Sequence, residues 1–245
     1  GEDVRKWQFF LVGQGLNTGE ADGIFGEQTK AATMVFQRRH GLQPDGLVGN
    51  KTAGMAMTLG FGVLDDERQS ILGAHWPPKP AFRPLLSFRE RAGIFGHFNY
   101  LHRPLPGNPE NIQVLDGWAS RNLVRVEVPQ LITVKGSAGV YFHRLAAEQL
   151  MQLWQDWEQA GLLHHVLTWE GAYAPRFIRG SRSILSNHAF GTAFDINYEW
   201  NKLGTQPALV GQKGAVRQLV QIANQNGFYW GGHFSRQDGM HFEVA

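Results

Sequence analysis

The pentapeptide Asp22-Gly-Ile-Phe-Gly26 recurs as Asp45-Gly-Leu-Val-Gly49, and a threonine follows each copy at the same offset, Thr29 and Thr52. Asp-Gly pairs make tight turns, because the aspartate hydrogen-bonds its own backbone and glycine accepts positive φ. After the first turn Thr29, Ala32, Val35 and Phe36 recur at helical spacing, and Gly41 supplies a C-terminal stop. Before it, Val4, Trp7, Phe10 and Leu11 form another apolar helical stripe. The pattern predicts a three-helix unit over residues 1–60, near the lower size limit for independent folding. A chain of 245 residues then has room for a larger second domain.

Residues 61–84 read as a connector, stiffened by His75-Trp-Pro-Pro-Lys-Pro80, since each proline fixes its own φ and biases its predecessor away from helix. The second domain is expected over 85–245. Val124-Arg-Val-Glu-Val128 alternates as a strand does, and Phe142, Leu145, Ala146, Leu150, Leu153, Trp154 and Trp157 mark an amphipathic helix. Further strands are expected at 165–169, 193–197, 228–230 and 240–243, with a helix over 215–226. Helices and strands mix without βαβ regularity. The expected fold is an α+β domain on an antiparallel sheet, preceded by a small all-α three-helix module.

The chain has no cysteine, so disulfides and thiolate metal sites are excluded and any metal must rest on His, Asp or Glu. Ser186-Asn-His188-Ala-Phe-Gly191-Thr-Ala193-Phe-Asp195 and the later Asp238-Gly-Met-His241-Phe-Glu243 offer two imidazoles and carboxylates. His188, Asp195 and His241 suffice for a catalytic zinc with one open position. On a helix, His188 and Asp195 would stand about 10 Å apart at ~1.5 Å rise per residue, too far for one ion. A loop that turns at Gly191 and returns along a strand can bring them together, with His241 arriving from a neighbouring strand.

These segments resemble two families. The leading helix, the paired Asp-Gly turns, Thr29, Phe36-Gln37, Gly41-Leu42 and Thr52 resemble the peptidoglycan-binding-domain-like modules. Ser-x-His-x-x-Gly-x-Ala-x-Asp with a late Asp-x-x-His resembles the zinc peptidases of the D-alanyl-D-alanine carboxypeptidase and L-alanyl-D-glutamate endopeptidase family, a likeness that takes in Tyr173-Ala-Pro-Arg176 and Trp230-Gly-Gly232. The resemblance implies that His188, Asp195 and His241 hold Zn²⁺ and that Asp238 is the general base. It also implies an upstream arginine that stabilises the oxyanion, Arg176 being preferred to Arg179 and Arg182. Ser186 is expected to fix the motif loop or bind substrate, Glu243 to orient a ligand histidine, and His233 to line the site.

The implied activity is hydrolysis of peptidoglycan stem peptides, at the L-Ala–D-Glu bond because Asp stands at 238. The alternatives are a D-alanyl-D-alanine carboxypeptidase of the same fold and a non-catalytic wall-binding protein with a structural zinc. Asp238 opposes the last, since a structural site needs no base. His40, His75, His97, His102, His143, His164 and His165 read as structural, and Trp154 and Trp157 as core. A net charge of +2 with neutral histidines is too small and too evenly spread for nucleic acid, and no apolar run is long enough to span a membrane. The expected partner is peptidoglycan and the favoured state a monomer. Gly1-Glu2-Asp3 reads as a trimmed start with an export signal removed, so an extracytoplasmic protein or a phage lysin is expected.

Overall fold

A computed structural model describes residues 1–16, 18–59, 61 and 75–245. They form two compact units, one of 1–78 with 208–218 and one of 79–207 with 219–245. Most of the expected connector, 62–74, lies outside the described residues.

The first unit contains the helices α1 (Glu2–Gly13), α2 (Glu27–Arg39) and α3 (Asn50–Thr58). Trp7, Phe10, Leu11, Ala32, Phe36 and Ala56 form its core. Phe61, expected to open the connector, instead packs its ring on Trp7 and Phe10 at centroid distances of 5.2 and 5.3 Å. The sequence echo is also a structural one. The buried Gln8 amide donates to Asp22 Oδ1, Ile24 O and Thr29 Oγ1, each at 3.0 Å, and accepts from Gly23 N–H at 2.8 Å. The buried Gln37 amide repeats this on the second turn, donating to Asp45 Oδ1, Leu47 O and Thr52 Oγ1 at 2.7, 2.9 and 3.1 Å and accepting from Gly46 N–H at 2.9 Å. Each threonine is therefore the last member of a clamp that ties an Asp-Gly turn to a helix. Both aspartate carboxyls are held below their usual range, Asp22 chiefly by Gln8 and Asp45 chiefly by the Leu47 N–H.

The second unit opens with α4 (Phe88–Phe95), capped by Ser87 and Glu90 in a reciprocal capping box. β1 (Tyr100–His102) pairs with β2 (Ile112–Val114). A helical turn, α5 (Trp118–Asn122), leads into β3 (Leu123–Glu127), and α6 (Ile132–Lys135) connects it to its antiparallel partner β4 (Gly139–His143). α7 (Ala147–Gln159) follows. β5 (Trp169–Gly171), β6 (Ala193–Ile196), β7 (Phe228–Trp230) and β8 (His241–Val244) make an antiparallel sheet of order β5-β6-β8-β7, with α8 (Val220–Gln225) before β7. The architecture is thus the α+β domain on small antiparallel sheets, preceded by a helical module, that the residue pattern predicts.

Several boundaries differ from expectation. Phe142 is not in the long helix but in β4, and Leu145 lies in a 3₁₀ turn. Phe142 stands three and four residues before Leu145 and Ala146 and eight before Leu150, so apolar periodicity extends the helix backwards through a strand. The strand expected at 165–169 is a 3₁₀ turn followed by β5, and the helix expected over 215–226 is the shorter α8 behind a 3₁₀ turn. The α4 helix and the β1–β2 hairpin were not anticipated.

The four-stranded sheet separates two kinds of chemistry, because successive side chains on a strand point to opposite faces. Phe194 of β6 and Phe242 of β8 stack at 5.4 Å and join Trp154, Trp157 and Trp169. Ala193 and Asp195 of β6, with His241 and Glu243 of β8, occupy the other face. Their register places Ala193 opposite Glu243 and Asp195 opposite His241.

Removing a clamp amide strands buried polar groups, which typically costs about 1–3 kcal/mol. Gln8→Ala and Gln37→Ala should each lower the module's midpoint in calorimetry of the full chain, and an unchanged midpoint would show that the clamps are incidental. The depressed Asp22 and Asp45 contribute stability above their unfolded pKa, so the same transition should weaken as pH falls below ~4.

Candidate metal centre

His188 lies in a 3₁₀ turn, Asn187–Phe190, whose start is capped by Ser186: the hydroxyl accepts from His188 N–H at 3.3 Å. Gly191 ends the turn at a φ of +65°. A Cβ there would stand 2.6 Å from Leu123 Cδ2, so glycine meets both the left-handed backbone and the close approach. The chain then enters β6 and carries Asp195 back alongside His188. Directly across the ladder, β8 presents His241.

The three groups meet at one point. His188 Nε2 is 3.1 Å from Asp195 Oδ1, His241 Nδ1 is 2.9 Å from the same oxygen, and the two nitrogens are 3.1 Å apart. Each histidine is oriented by a hydrogen bond at its other nitrogen. His188 Nδ1–H donates to the Ala172 carbonyl at 2.6 Å, and His241 Nε2–H donates to Glu243 Oε2 at 2.9 Å. These bonds select the tautomers that leave lone pairs on the converging nitrogens. Two lone pairs and a carboxylate oxygen then face one another in a buried place, an arrangement that repels itself unless a cation sits among them.

A metal ion fits this set. Nitrogen, nitrogen and oxygen are ligands zinc accepts, and bonds of ~2.0–2.1 Å in a tetrahedron put ligand atoms about 3.3 Å apart, close to the separations seen. Among the described residues this is the cluster of His, Asp and Glu groups close enough together to hold a metal. Burial alone would disfavour a charged Asp195, but His188 and His241 outweigh it and hold the carboxyl below its usual range. Burial also opposes charge on His241, and Asp195 and Glu243 outweigh that and push its pKa up.

Asp238 lies just ahead of β8, in a turn closed by His241 N–H donating to its carbonyl at 3.1 Å. Its own N–H donates to Gly231 O at 2.9 Å. Gly231 makes this closure possible, since a Cβ there would lie 3.1 Å from both Asp238 Cβ and His241 Cβ. Gly239 follows in the same turn without a positive φ, and its missing Cβ makes room for Pro207, whose Cβ would be 2.6 Å away. Asp238 Oδ1 is buried and meets no hydrogen-bond partner among the described residues. Burial raises its pKa, against the partial opposition of His241.

Of the three candidate arginines, Arg176 is the one near this centre. It is half-buried, and Asp195 and Asp238 both favour its charge against the effect of burial. Arg179 is engaged elsewhere, at 2.7 Å from Glu110 and 2.9 Å from Asn108, and Arg182 is exposed. Glu243 touches His241, as described. His233 is buried against the rings of Tyr229 and Trp230 and is not one of the converging groups. His143, read as structural, is buried with its Nε2 3.0 Å from Phe95 O. The Ala172 carbonyl escaped the sequence reading, because a backbone acceptor leaves no residue-type signal.

With this geometry in hand, the family comparisons are specific about class. Residues 179–244 match the D-alanyl-D-alanine carboxypeptidase family, and residues 1–55 match a peptidoglycan binding domain. The chain thus joins a segment similar to wall-binding modules to one similar to a peptidase family, the pairing its motifs predicted. Among individual proteins, it is 47% identical over 55 residues to the spore cortex-lytic enzyme of Bacillus cereus, a stretch covering 22% of this chain and 21% of that one. It is 46% identical over 52 residues to an N-acetylmuramoyl-L-alanine amidase of Mycobacterium tuberculosis, covering 21% of this chain and 13% of that one. Each alignment therefore spans about a fifth of the relative's length or less.

If the converging lone pairs hold zinc, His188→Ala and His241→Ala should each abolish tight zinc uptake in elemental analysis after dialysis. Glu243→Gln, which weakens the orienting bond, should lower affinity by about 10–100-fold. Full zinc content in both histidine variants would refute the assignment.

Proposed function

We propose that this chain is a zinc-dependent peptidase that hydrolyses the stem peptides of peptidoglycan, with the bond between L-alanine and D-glutamate as its target. The observation that carries the reading is a buried Asp238 Oδ1 without a hydrogen-bond partner among the described residues, on the residue three before His241, one of three ligand groups that converge as if on a cation. His188, Asp195 and His241 would hold the zinc. A zinc ion held there supplies a Lewis acid that acidifies water and polarises a peptide carbonyl. Asp238, kept poorly solvated, takes the proton of the attacking water and returns it to the departing amine. Arg176 supplies a fixed positive charge that favours the negative charge growing on the carbonyl oxygen. Glu243 and the Ala172 carbonyl keep both imidazoles in the tautomers the centre needs, and Ser186 holds the loop that carries His188.

The helical module, in this reading, anchors the enzyme to insoluble wall and raises the local substrate concentration. The similarity of residues 1–55 to peptidoglycan binding domains supports that role, and with it action outside the cytoplasm. Among the described residues no helix is long and apolar enough to cross a membrane.

A second reading, removal of terminal D-alanine, is favoured by the description of the matched family. Mass spectrometry of digested muropeptides separates the two. Free L-alanine-terminated glycan with D-glutamyl peptides supports the endopeptidase, whereas terminal D-alanine as the sole product would establish the carboxypeptidase.

Asp238→Asn keeps the side chain's shape but cannot accept a proton, so turnover should fall by about 10²–10⁴-fold with zinc retained. Asp238 binds its proton more tightly when folded, so it favours the fold at low pH and loses that contribution as pH rises through its folded pKa. A neutral asparagine escapes this loss. The metal-free variant should therefore melt no lower than the metal-free parent at neutral pH, and a variant that lost its zinc would show Asp238 to be a ligand.

A further inference from the structure

β4 and β5 are each the last strand of their sheet, and a groove of about 190 Å³ lies between them. Its walls include Val140 and Tyr141 of β4, Trp169 of β5, and Ala172 and Tyr173 just beyond β5. It adjoins the metal centre through two direct links. The Ala172 carbonyl accepts from His188, and Gly171 of β5 stands opposite Asp195 in the ladder.

On the outer edge of β4, Gly139 O accepts from Lys135 Nζ and His143 N–H donates to Gly191 O, which leaves Tyr141 as the position open to pairing among the described residues. His143 N–H points away from β3, since it donates to Gly191 O at 2.7 Å. Hydrogen-bonding direction alternates along an antiparallel pair, so Tyr141, two residues earlier, also directs its N–H and C=O away from β3. An unpaired strand edge is a ready template for an extended peptide. The side chains add a charge. Lys135 lines one end of the groove, half-buried, with its ammonium donating to Ser137 Oγ, Gly139 O and Ser137 O at 2.5, 3.0 and 3.2 Å. All three acceptors are neutral, and no carboxylate among the described residues pairs with this lysine. Those three bonds use the ammonium's three hydrogens, so this cation at the end of an aromatic-walled groove attracts an anion by its charge.

The geometry points to the β4–β5 groove as the substrate subsite, in which an acidic peptide pairs with Tyr141 on the outer edge of β4 and sets one carboxylate beside Lys135. This rests on the peptidase reading and deepens it. Main-chain pairing along an edge tolerates varied side chains, whereas the lysine makes the site select for a free carboxylate over its amide. Tyr141, 60% exposed, and the half-buried Tyr173 give the bound chain apolar walls.

The test uses soluble stem peptides in matched sets, identical except that each free carboxylate in turn is converted to a carboxamide. With the zinc-loaded full chain, one such conversion should raise KM by roughly tenfold, about 1.4 kcal/mol of lost charge recognition. Lys135→Gln should raise KM for the carboxylate peptide and erase its advantage over that amide. Lys135→Arg, which restores the charge, should recover the preference. A general loss of folding would move KM and kcat for both peptides together and would not be rescued by arginine in this selective way. Calorimetric titration of the same peptide pairs into the zinc-loaded Asp238→Asn chain reads the preference without turnover, so failure of the hydrolytic reading is distinguishable from failure of the subsite. A Lys135→Gln chain that keeps the full carboxylate preference in binding, or a parent chain indifferent to every amidation, overturns the proposal.

Discussion

Three acceptor atoms held at mutual distances of 2.9–3.1 Å in a buried place form the constraint on which this structure turns. Two imidazole lone pairs and a carboxylate oxygen would repel one another there, and a cation removes the conflict. Much of the surrounding fold sets that arrangement. Ser186 and Gly191 shape the loop that carries His188, the β6–β8 register puts Asp195 opposite His241, and the Ala172 carbonyl and Glu243 dictate which nitrogen of each ring is bare. The arrangement is tense by itself, and a metal ion held there would relieve it.

The sheet achieves this by dividing its faces. Phe194 and Phe242 anchor β6 and β8 in a layer of aromatic rings, so the strands are fixed from behind, while Asp195, His241 and Glu243 project to the other side. A rigid apolar layer behind polar ligands is a sound way to hold a metal site, because ligand positions on strands move less than those on loops. Asp238 is the exception. It sits on the turn ahead of β8, close to His241 but outside the ladder, where its Oδ1 is buried with no hydrogen-bond partner among the described residues. That position would suit the proton-transfer role proposed for it.

Much of the candidate site was legible in the residue pattern. His188, Asp195 and His241 stood out by ligand type, and the impossibility of a helix between the first two required the turn that Gly191 makes. The paired Asp-Gly turns of the module were equally plain, although the glutamines that clamp them were not read as a pair. Gln8 precedes its turn by 14 residues and Gln37 precedes its own by 8, so no common spacing exposes the relation. Phe142 was assigned to a helix because apolar spacing alone does not distinguish a buried strand leading into a helix from a longer helix. The roles of Gly231 and Gly239 were also hidden, since the atoms crowding them come from Asp238, His241 and Pro207, which only folding brings near.

By itself the sequence determined the inventory and the local geometry: a cysteine-free ligand set, two tight turns of one kind, a left-handed glycine after His188, and alternation on short strands. These depend on backbone preferences and on side-chain chemistry, which act over a few residues. Tertiary structure decided which nitrogen of each histidine is free, which arginine stands near the centre, and which strand edges remain unpaired. Arg176, Arg179 and Arg182 are close neighbours in sequence and chemically alike, yet Glu110 and Asn108 engage Arg179, while Asp195 and Asp238 act on Arg176. Such choices depend on partners far apart along the chain, and the distances between them exist only once the sheets have formed.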